Sequence, residues 1–327
     1  PDGYYLVGDS IKVNPAAEQV ADLVVASAVL YKVSTAGTVM DKFTIKADTV
    51  NKVDFRASAV TFNEQDQLIM LGTFNAPSTD QEPYLVAFST ALDTLWTRRY
   101  AIIGRDYVNG KSIHATGDGR LVWATAILRE QGNFSRSYMM VPYVLEQSVF
   151  ENAALYGETT DQQLLIADVQ PAASPQFGYA IVGSYATPAG DNSNVFFSRV
   201  TSSGNIIAGS ERFFDGATEA VVTTSDNSQS EDRGTAICST SDGGFVLAGT
   251  RETLPGIGNG STDILLIKVD AQGNVLWRKT FGGSNAESVG SIVETADKGL
   301  LICGSVDALG LPALILIKTD ENGEITN

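Results

Sequence analysis

The segment Gly244-Phe-Val-Leu-Ala-Gly-Thr250 is nearly repeated at Gly178-Tyr-Ala-Ile-Val-Gly-Ser184 and at Gly299-Leu-Leu-Ile-Cys-Gly-Ser305. Weaker copies are Gly3-Tyr-Tyr-Leu-Val-Gly-Asp9, Gln67-Leu-Ile-Met-Leu-Gly-Thr73 and Arg120-Leu-Val-Trp-Ala-Thr125. Self-similarity at a spacing of about 50 to 70 residues is typical of propellers, solenoids and arrays. The repeat therefore decides the architecture.

The best-preserved repeat, residues 231–283, divides into four strand-like pieces joined by turn signals. The turn Asp242-Gly243-Gly244 leads into its second piece, because glycine supplies the positive φ of a tight hairpin. Its third piece, residues 263–270, is a near-continuous apolar run, which predicts burial on both faces. Four antiparallel strands per repeat is the arrangement of a propeller blade. The sequence predicts an all-β β-propeller of six blades, with seven blades as the alternative.

We predict one domain over residues 1–327, because an all-β ring can use this length as a single domain. The fourth strand of the last blade is stunted and the first blade lacks its opening strand, so strands from both termini are available to close the ring. The predicted blades are residues 1–53, 54–105, 106–157, 158–216, 231–283 and 284–327.

Composition excludes several classes of function. The formal net charge of -16 argues against nucleic acid and against docking on anionic lipid. No apolar run approaches the roughly 18 to 20 residues of a transmembrane helix. Charged residues make up 18% of the chain and hydrophobic ones 43%, which suits a folded protein with a large core. The remaining partners are a protein or a glycan.

Motifs of enzymes are missing from the sequence. It contains no Gly-x-Ser-x-Gly elbow, no His-Glu-x-x-His, no phosphate loop and no Cys-x-x-Cys. The two cysteines, Cys238 and Cys303, lie in apolar strands of different repeats, and each is expected to be a small buried hydrophobe. With His114 as its single histidine, an enzyme of this sequence would have to use carboxylates.

Several elements near the C-terminus carry a resemblance to a known repeat. They are Trp277, Lys279 to Gly283, Glu287, Ser291-Ile292, Asp242 to Gly244, Val246 to Gly249 and Ile267 to Asn274. This pattern resembles a repeat of secreted and surface-attached bacterial β-propellers. The resemblance implies an extracytoplasmic location and often a lipid anchor, here on an N-terminus that we interpret as trimmed. It implies no particular activity.

The hairpin Asp270 to Trp277 also resembles, in part, the tryptophan-docking repeat of quinoproteins. Quinoprotein dehydrogenases need a cofactor stack and a calcium site, and this sequence has no vicinal cysteine pair of the kind that often covers the quinone. Non-enzymatic proteins of that shape act as assembly scaffolds. The likeness therefore favours an interaction role and implies no organic cofactor.

Acidic residues precede the first strands of several predicted blades: Asp54, Asp106, Asp232 and Glu287. If those strands surround the channel, the carboxylates gather at one mouth, where oxygen ligands of this kind are able to hold Ca²⁺ or a cationic group. The alternative is that each acid caps a turn or pairs with a neighbouring basic residue. Calcium is the one ion that this pattern suggests.

A second candidate site lies on the irregular third blade. Trp123 breaks the small-residue habit of its strand, and His114, Tyr138 and Tyr143 lie on neighbouring strands of that blade. Such a group suits a ligand-binding patch, and a repacked core is the alternative. Long loops at residues 131–136, 171–176, 187–194 and 223–232 are further candidates for binding.

These observations lead to one functional hypothesis and one rival. The hypothesis is an extracytoplasmic propeller that serves as a binding or scaffold module for a protein or glycan. The rival is a carboxylate-based glycan-active enzyme, or a metal-dependent one, with its site at one mouth of the channel. Converging carboxylates with raised pKa values beside exposed aromatic rings would favour the rival.

Overall fold

The apolar repeat segments form β-strands, since runs of β-branched and aromatic residues fit a pleated sheet. The structure, a computed structural model, describes the chain except for residues 1–2, 14–23, 49–50, 52, 77–78, 101–107, 117, 129–135, 145–148, 151–153, 157–162, 173–177, 187–192, 217–220, 223–229, 255–256, 309–310 and 327. The described residues form strands and turns and contain no helix, so none of them belongs to a membrane-crossing helix. The all-β prediction is confirmed.

The chain divides into two compact units, Pro1–Glu151 and Asn152–Asn327. In the first unit the strands form three antiparallel sheets with the orders β1-β2-β3, β4-β5-β6-β7 and β8-β9-β10-β11. The strands are β1 (Gly3–Val13), β2 (Val24–Ser34), β3 (Val39–Ile45), β4 (Asp54–Phe62), β5 (Leu68–Ala76), β6 (Thr79–Phe88), β7 (Thr94–Arg99), β8 (Val108–Ala115), β9 (Arg120–Leu128), β10 (Arg136–Val144) and β11 (Val149–Phe150).

The second unit contains the better-preserved repeats. Its strands are β12 (Ala154–Tyr156), β13 (Gln163–Pro171), β14 (Tyr179–Ala186), β15 (Ser193–Val200), β16 (Arg212–Phe214), β17 (Val221–Val222), β18 (Asp232–Ser239), β19 (Phe245–Leu254), β20 (Ile257–Val269), β21 (Val275–Phe281), β22 (Ala286–Glu294), β23 (Leu300–Ala308) and β24 (Leu311–Thr319). Strands β13 to β17 form one antiparallel sheet in chain order. Strands β18 to β24 form a seven-stranded sheet.

The observed sheets occur in the chain order of the predicted blades, with two differences in the second unit. The first is that β17 joins the sheet β13–β17 although it lies beyond the predicted blade 158–216. The second is that residues 231–283 and 284–327 were predicted as separate blades, yet their strands share one sheet through a parallel pairing of Thr262 in β20 with Ala286 in β22. This pairing exists because β20 begins at Ile257, ahead of its predicted start at residue 263, so Thr262 belongs to the strand. The blade count, the ring closure and the single domain stay predictions.

Neighbouring sheets within each unit pack face to face. In the second unit, Leu265 and Ile267 of β20 pack toward the sheet β13–β17, whereas Ile264 and Leu266 pack toward β22 and β23. Alternate residues of one strand thus enter two different cores, which explains why residues 264–269 of β20 form a nearly continuous apolar run. The predicted burial of this strand on both faces is confirmed. Cys238 is buried in the second of these cores and Cys303 is half-buried, and both thiols are free.

The final glycine of the repeat lies opposite a β-bulge. In β18 the pairing with β19 shifts by one residue between Gly234 and Ala236, opposite Gly249. A Cβ atom on Gly249 would lie 2.0 Å from the carbonyl oxygen of Arg233. The same shift recurs in β4, β13 and β22 opposite the repeat glycine. Glycine is required there because the bulged strand occupies the space of a side chain.

In the weaker copy of the repeat, in the third sheet, the glycine lies on the partner strand β8 and not on β9. Thr125 of β9 takes the position of the repeat glycine, and its partner in register on β8 is Gly110, next to the bulge. An added Cβ on Gly110 would lie 2.7 Å from the Leu71 side chain of β5, so this glycine makes room for the neighbouring sheet. Because the glycine lies on β8, the segment 120–125 matches the repeat less well.

Candidate functional site

The predicted patch on the third sheet is not assembled as expected. Trp123 is fully buried among apolar side chains of β5, β6, β8 and β9, and the edge of its ring meets Tyr100 at a centroid distance of 5.5 Å. This is the repacked-core alternative. His114 pairs with Val122, one step from the pair of Ile113 with Trp123, so His114 and Trp123 point to opposite faces of the sheet.

The two tyrosines of that patch belong to the neighbouring strand. Tyr138 and Tyr143 lie in β10, in register with Ala126 and Leu121 of β9. Their side chains are outside the described part of the structure. Most of the long loops predicted to bind ligands are outside it as well.

The four acids of the predicted ring differ in the contacts that their carboxylates make. Asp106 lies outside the described residues. Asp54, in the first unit, accepts a hydrogen bond on Oδ1 from the backbone N–H of Ala26 in β2, at 2.9 Å. Its carboxylate therefore anchors one strand to the adjacent sheet. This contact with a strand 28 residues away differs from the turn cap or neighbouring basic partner considered as the alternative.

Asp232 and Glu287, in the second unit, form the same connection twice. Asp232 Oδ2 accepts the N–H of Gly216, which follows β16, at 2.6 Å, and Glu287 Oε2 accepts the N–H of Gly283, which follows β21, at 3.2 Å. Their backbone carbonyls accept the hydroxyls of Ser193 and Thr262, at 2.8 and 2.9 Å. We call this two-point connection the joint. Each joint ties a first strand to the preceding group of strands.

In the joints, carboxylates that a metal site would need already accept hydrogen bonds from backbone N–H groups. In the described parts of the chain, no three His, Cys, Asp or Glu side chains are placed to hold a metal ion. Calcium binding by the four predicted acids therefore stays a prediction without an assembled site. Asp232 and Glu287 hold corresponding places in two repeats because each forms a joint.

Asp232 is the more unusual of the two acids in joints. Its side chain is fully buried, and its Oδ1 has no hydrogen-bond partner among the described residues. Arg251 lies beside it in register on β19 and is shared with Asp263 of β20, whose Oδ2 is 3.3 Å from Arg251 Nη2. Burial raises the pKa of Asp232 to about 6, and the nearby Asp215 carboxylate adds to this, against hydrogen bonds from Gly216 and Ser230.

A cleft of about 120 Å³ lies elsewhere in the second unit, between the turn that joins β18 to β19 and the turn that joins β22 to β23. It combines hydroxyl groups, carboxylates and ammonium groups over two buried apolar side chains. Its lining consists of Thr240, Ser241, Asp242, Val246, Lys268, Glu294, Lys298, Leu300 and Glu321. We call this site the cleft. The cleft is not visible in the sequence, because it is built from turns of two successive repeats.

A buried lysine holds one wall of the cleft. Lys268 is 5% exposed, and its Nζ donates to Thr240 Oγ1 and, at 2.8 Å, to Asp242 Oδ1. Burial pushes the pKa of Asp242 upward, but hydrogen bonds from Lys268, Thr240 and the N–H of Gly244 outweigh it and hold the pKa at about 2. Asp242 is therefore ionised at any ordinary pH. The turn of the next repeat has the same arrangement, with Lys318 Nζ 3.0 Å from Asp297 Oδ2.

The substitution Asp242→Asn is expected to destabilise the protein by about 1 to 2 kcal/mol, because it leaves the buried Lys268 ammonium without its counter-charge. The matched control is Asp297→Asn, where the side chain of Lys318 is 30% exposed and water replaces the lost partner. Its stability is expected to change little. Urea unfolding of both variants measures the difference, and equal losses would contradict the role of burial.

Glu294 connects the two turns across the cleft. Both of its carboxylate oxygens accept the N–H of Ser241, at 3.1 and 2.9 Å, and Oε1 also accepts the Ser241 hydroxyl. Lys298 and Glu321 remain at the rim of the cleft. Neither side chain has a hydrogen bond or ion pair to any residue that the structure describes. The cleft therefore offers one cation and one anion that are not used internally.

Comparison with known proteins identifies the fold. No family model and no curated protein matches the chain. Among solved structures, Trypanosoma rangeli sialidase with the inhibitor DANA matches 96% of this chain and 52% of its own at 9% identity and TM-score 0.60. The same sialidase with sialic acid matches 95% of this chain and 51% of its own, at 12% identity and TM-score 0.56. This chain thus spans about half the length of that sialidase.

Two further structures are similar at comparable levels. The Hadza microbial sialidase Hz136 matches 91% of this chain and 63% of its own at 8% identity and TM-score 0.53. A luciferin-regenerating enzyme matches 99% of this chain and 97% of its own at 10% identity and TM-score 0.51. At these identities the likeness shows the fold alone, an all-β architecture of the β-propeller type.

Proposed function

We propose that this protein is an extracytoplasmic β-propeller that binds a glycan, and that the cleft is part of its binding surface. The observation that carries the proposal is the composition of the cleft: hydroxyls, carboxylates and ammonium groups converge over Val246 and Leu300. Ligand sites combine a concave apolar floor with a few polar groups that fix orientation. Sugars present hydroxyls, which both donate and accept hydrogen bonds, to such groups.

Binding is favoured over catalysis by the state of the acids. A general acid needs a raised pKa and access to the ligand. Asp242 lines the cleft but has a lowered pKa, and Asp232 has a raised pKa but is fully buried in its joint. In the described part of the chain, none of the resolved pKa shifts places a proton-donating carboxyl in the cleft. The extracytoplasmic location rests on the repeat resemblance described above.

Thermal unfolding against a panel of soluble polysaccharides tests this function. A melting temperature that rises with the concentration of one polysaccharide is the expected result, because a ligand that binds only the native state stabilises it. Calcium is included in parallel samples. Absence of any shift across neutral, acidic and amino-sugar polysaccharides would refute glycan binding.

The position of the site is tested by filling the cleft. Ser241→Trp places an indole among the lining residues while the backbone N–H that binds Glu294 remains. We expect it to weaken binding at least tenfold. The matched control is Ala296→Trp, since Ala296 occupies the same place in the turn of the next repeat, is exposed, and does not line the cleft. Titration calorimetry gives both affinities, and equal losses would place the site elsewhere.

A further inference from the structure

Lys298 has a backbone conformation that lysine rarely adopts. Its φ is 65°, in the left-handed region. The corresponding turn position holds Gly243 with φ 85°, Gly119 with φ 81° and Asp66 with φ 55°. Glycine adopts this conformation without steric cost, whereas a lysine does not. The chain therefore keeps a lysine where the turn itself favours glycine.

Lys298 lies where its side chain is able to contact a ligand in the cleft. Its side chain lies at the rim of the cleft, with Glu321 as the other rim group, and we call these two residues the rim pair. The inner groups are already engaged, because Lys268 is paired with Asp242 and the Glu294 carboxylate accepts hydrogen bonds from Ser241. Backbone strain of this kind is concentrated at functional sites.

We infer that the rim pair recognises two neighbouring hydroxyl groups of an uncharged sugar, with Lys298 Nζ donating to one hydroxyl and the Glu321 carboxylate accepting from the other. This inference rests on the proposed function and specifies its ligand class. A hydroxyl group supplies one donor and two acceptor sites, so a vicinal diol satisfies a cation and an anion together. Hydrogen bonds to charged groups are stronger than those between neutral groups.

Charge selects against ionised sugars. A net charge of -16 repels anionic polysaccharides at long range, and the carboxylates of Glu294 and Glu321 repel them within the cleft. A free ammonium group of an amino sugar only donates hydrogen bonds, so at this position it offers no acceptor to Lys298 Nζ. A neutral sugar avoids both penalties. The described lining contains no aromatic ring, so recognition depends on hydrogen bonds.

The test is titration calorimetry of the full chain at about 0.15 M salt against dextran, mannan and galactan oligosaccharides, with polygalacturonate and chitosan oligosaccharides as charged probes. The variants are Lys298→Gly and Glu321→Gln. We expect each to weaken binding of the preferred neutral glycan about tenfold, the effect of losing one charge-assisted hydrogen bond. The matched control is Asp66→Gly, which makes the same backbone change in the first unit and is expected to leave affinity unchanged.

Misfolding is separated from loss of binding by the melting temperature. Lys298→Gly removes an unfavourable conformation, so it is expected to melt at or above the wild-type temperature while it binds less well. If Lys298→Gly binds within twofold of wild type, or if polygalacturonate or chitosan binds most tightly, the inference is wrong and glycan binding still stands. If the wild-type chain binds none of the probes, the inference and the proposed function fail together.

Discussion

Replacement of Gly249 by alanine is expected to destabilise the protein by about 3 kcal/mol or more. The new Cβ would lie 2.0 Å from the carbonyl oxygen of Arg233 and 3.0 Å from its carbonyl carbon. Both atoms belong to the backbone of β18 beside its bulge, so no side-chain rotation relieves the clash. Interiors are close-packed, and a strand that must move disturbs both of its cores. The expected loss belongs to the upper range of single substitutions.

The matched control for this prediction is Gly8→Ala. Gly8 holds the same place in the first copy of the repeat, but an added Cβ there meets no atom within 4 Å. Its pairing with β2 continues through Val29 without a shift in register. We expect a change within about 0.5 kcal/mol. Urea unfolding measures both variants, and similar losses at the two positions would show that the bulge does not explain the repeat glycine.

The second large effect is a dependence of stability on pH that is due to Asp232. Its folded pKa of about 6 is above the ordinary value, mainly because of burial. Ionisation therefore penalises the folded state. The penalty is complete above about pH 7, falls as the pH is lowered through the folded pKa, is largely lost by about pH 4, and is absent below about pH 3, where Asp232 is protonated in both states. At pH 7 it amounts to about 3 kcal/mol.

Asp232→Asn isolates this contribution from that of the other carboxylates. Asparagine keeps an oxygen able to accept from Gly216 N–H and the Ser230 hydroxyl but carries no charge. The free energy of unfolding of the variant minus that of wild type is expected to decrease by about 3 kcal/mol between pH 7 and pH 4. Urea unfolding at several pH values gives this difference. A difference that is constant, or that increases as the pH falls, would contradict the assignment.

Much of the fold was predictable because the repeat is periodic. The turn Asp242-Gly243-Gly244 and the apolar run after it predicted β19 as the second strand of its repeat. The true start of β20 was missed, since Thr253 to Gly260 contains proline and three glycines and reads as a loop, whereas the structure extends the hairpin to Leu254 and Ile257. Local composition does not reveal pairing that tertiary contacts support.

The candidate site was less predictable, for a physical reason. Trp123 and His114 are close in the sheet, but the side to which each points depends on a one-residue bulge between Gly110 and Ser112. The acids Asp232 and Glu287 were recognised as repeated features, yet their partners are backbone N–H groups, which leave no mark in a sequence. The cleft joins Ser241 to Glu294, and that contact becomes visible only when successive repeats are packed together.

The joints also determine where a repeat of this protein is able to be exchanged by recombination with a repeat of another protein. The repeat suggests that residues 231–283 are a transferable module, but Gly283 donates its N–H to Glu287, which belongs to the next repeat. Gly216 likewise depends on Asp232 across the preceding boundary. A segment excised at the repeat boundaries leaves one end without its acceptor and carries an acid without its donor. Recombination between propellers is therefore best tolerated when the crossover follows the first strand of a repeat, which retains each glycine with its acid.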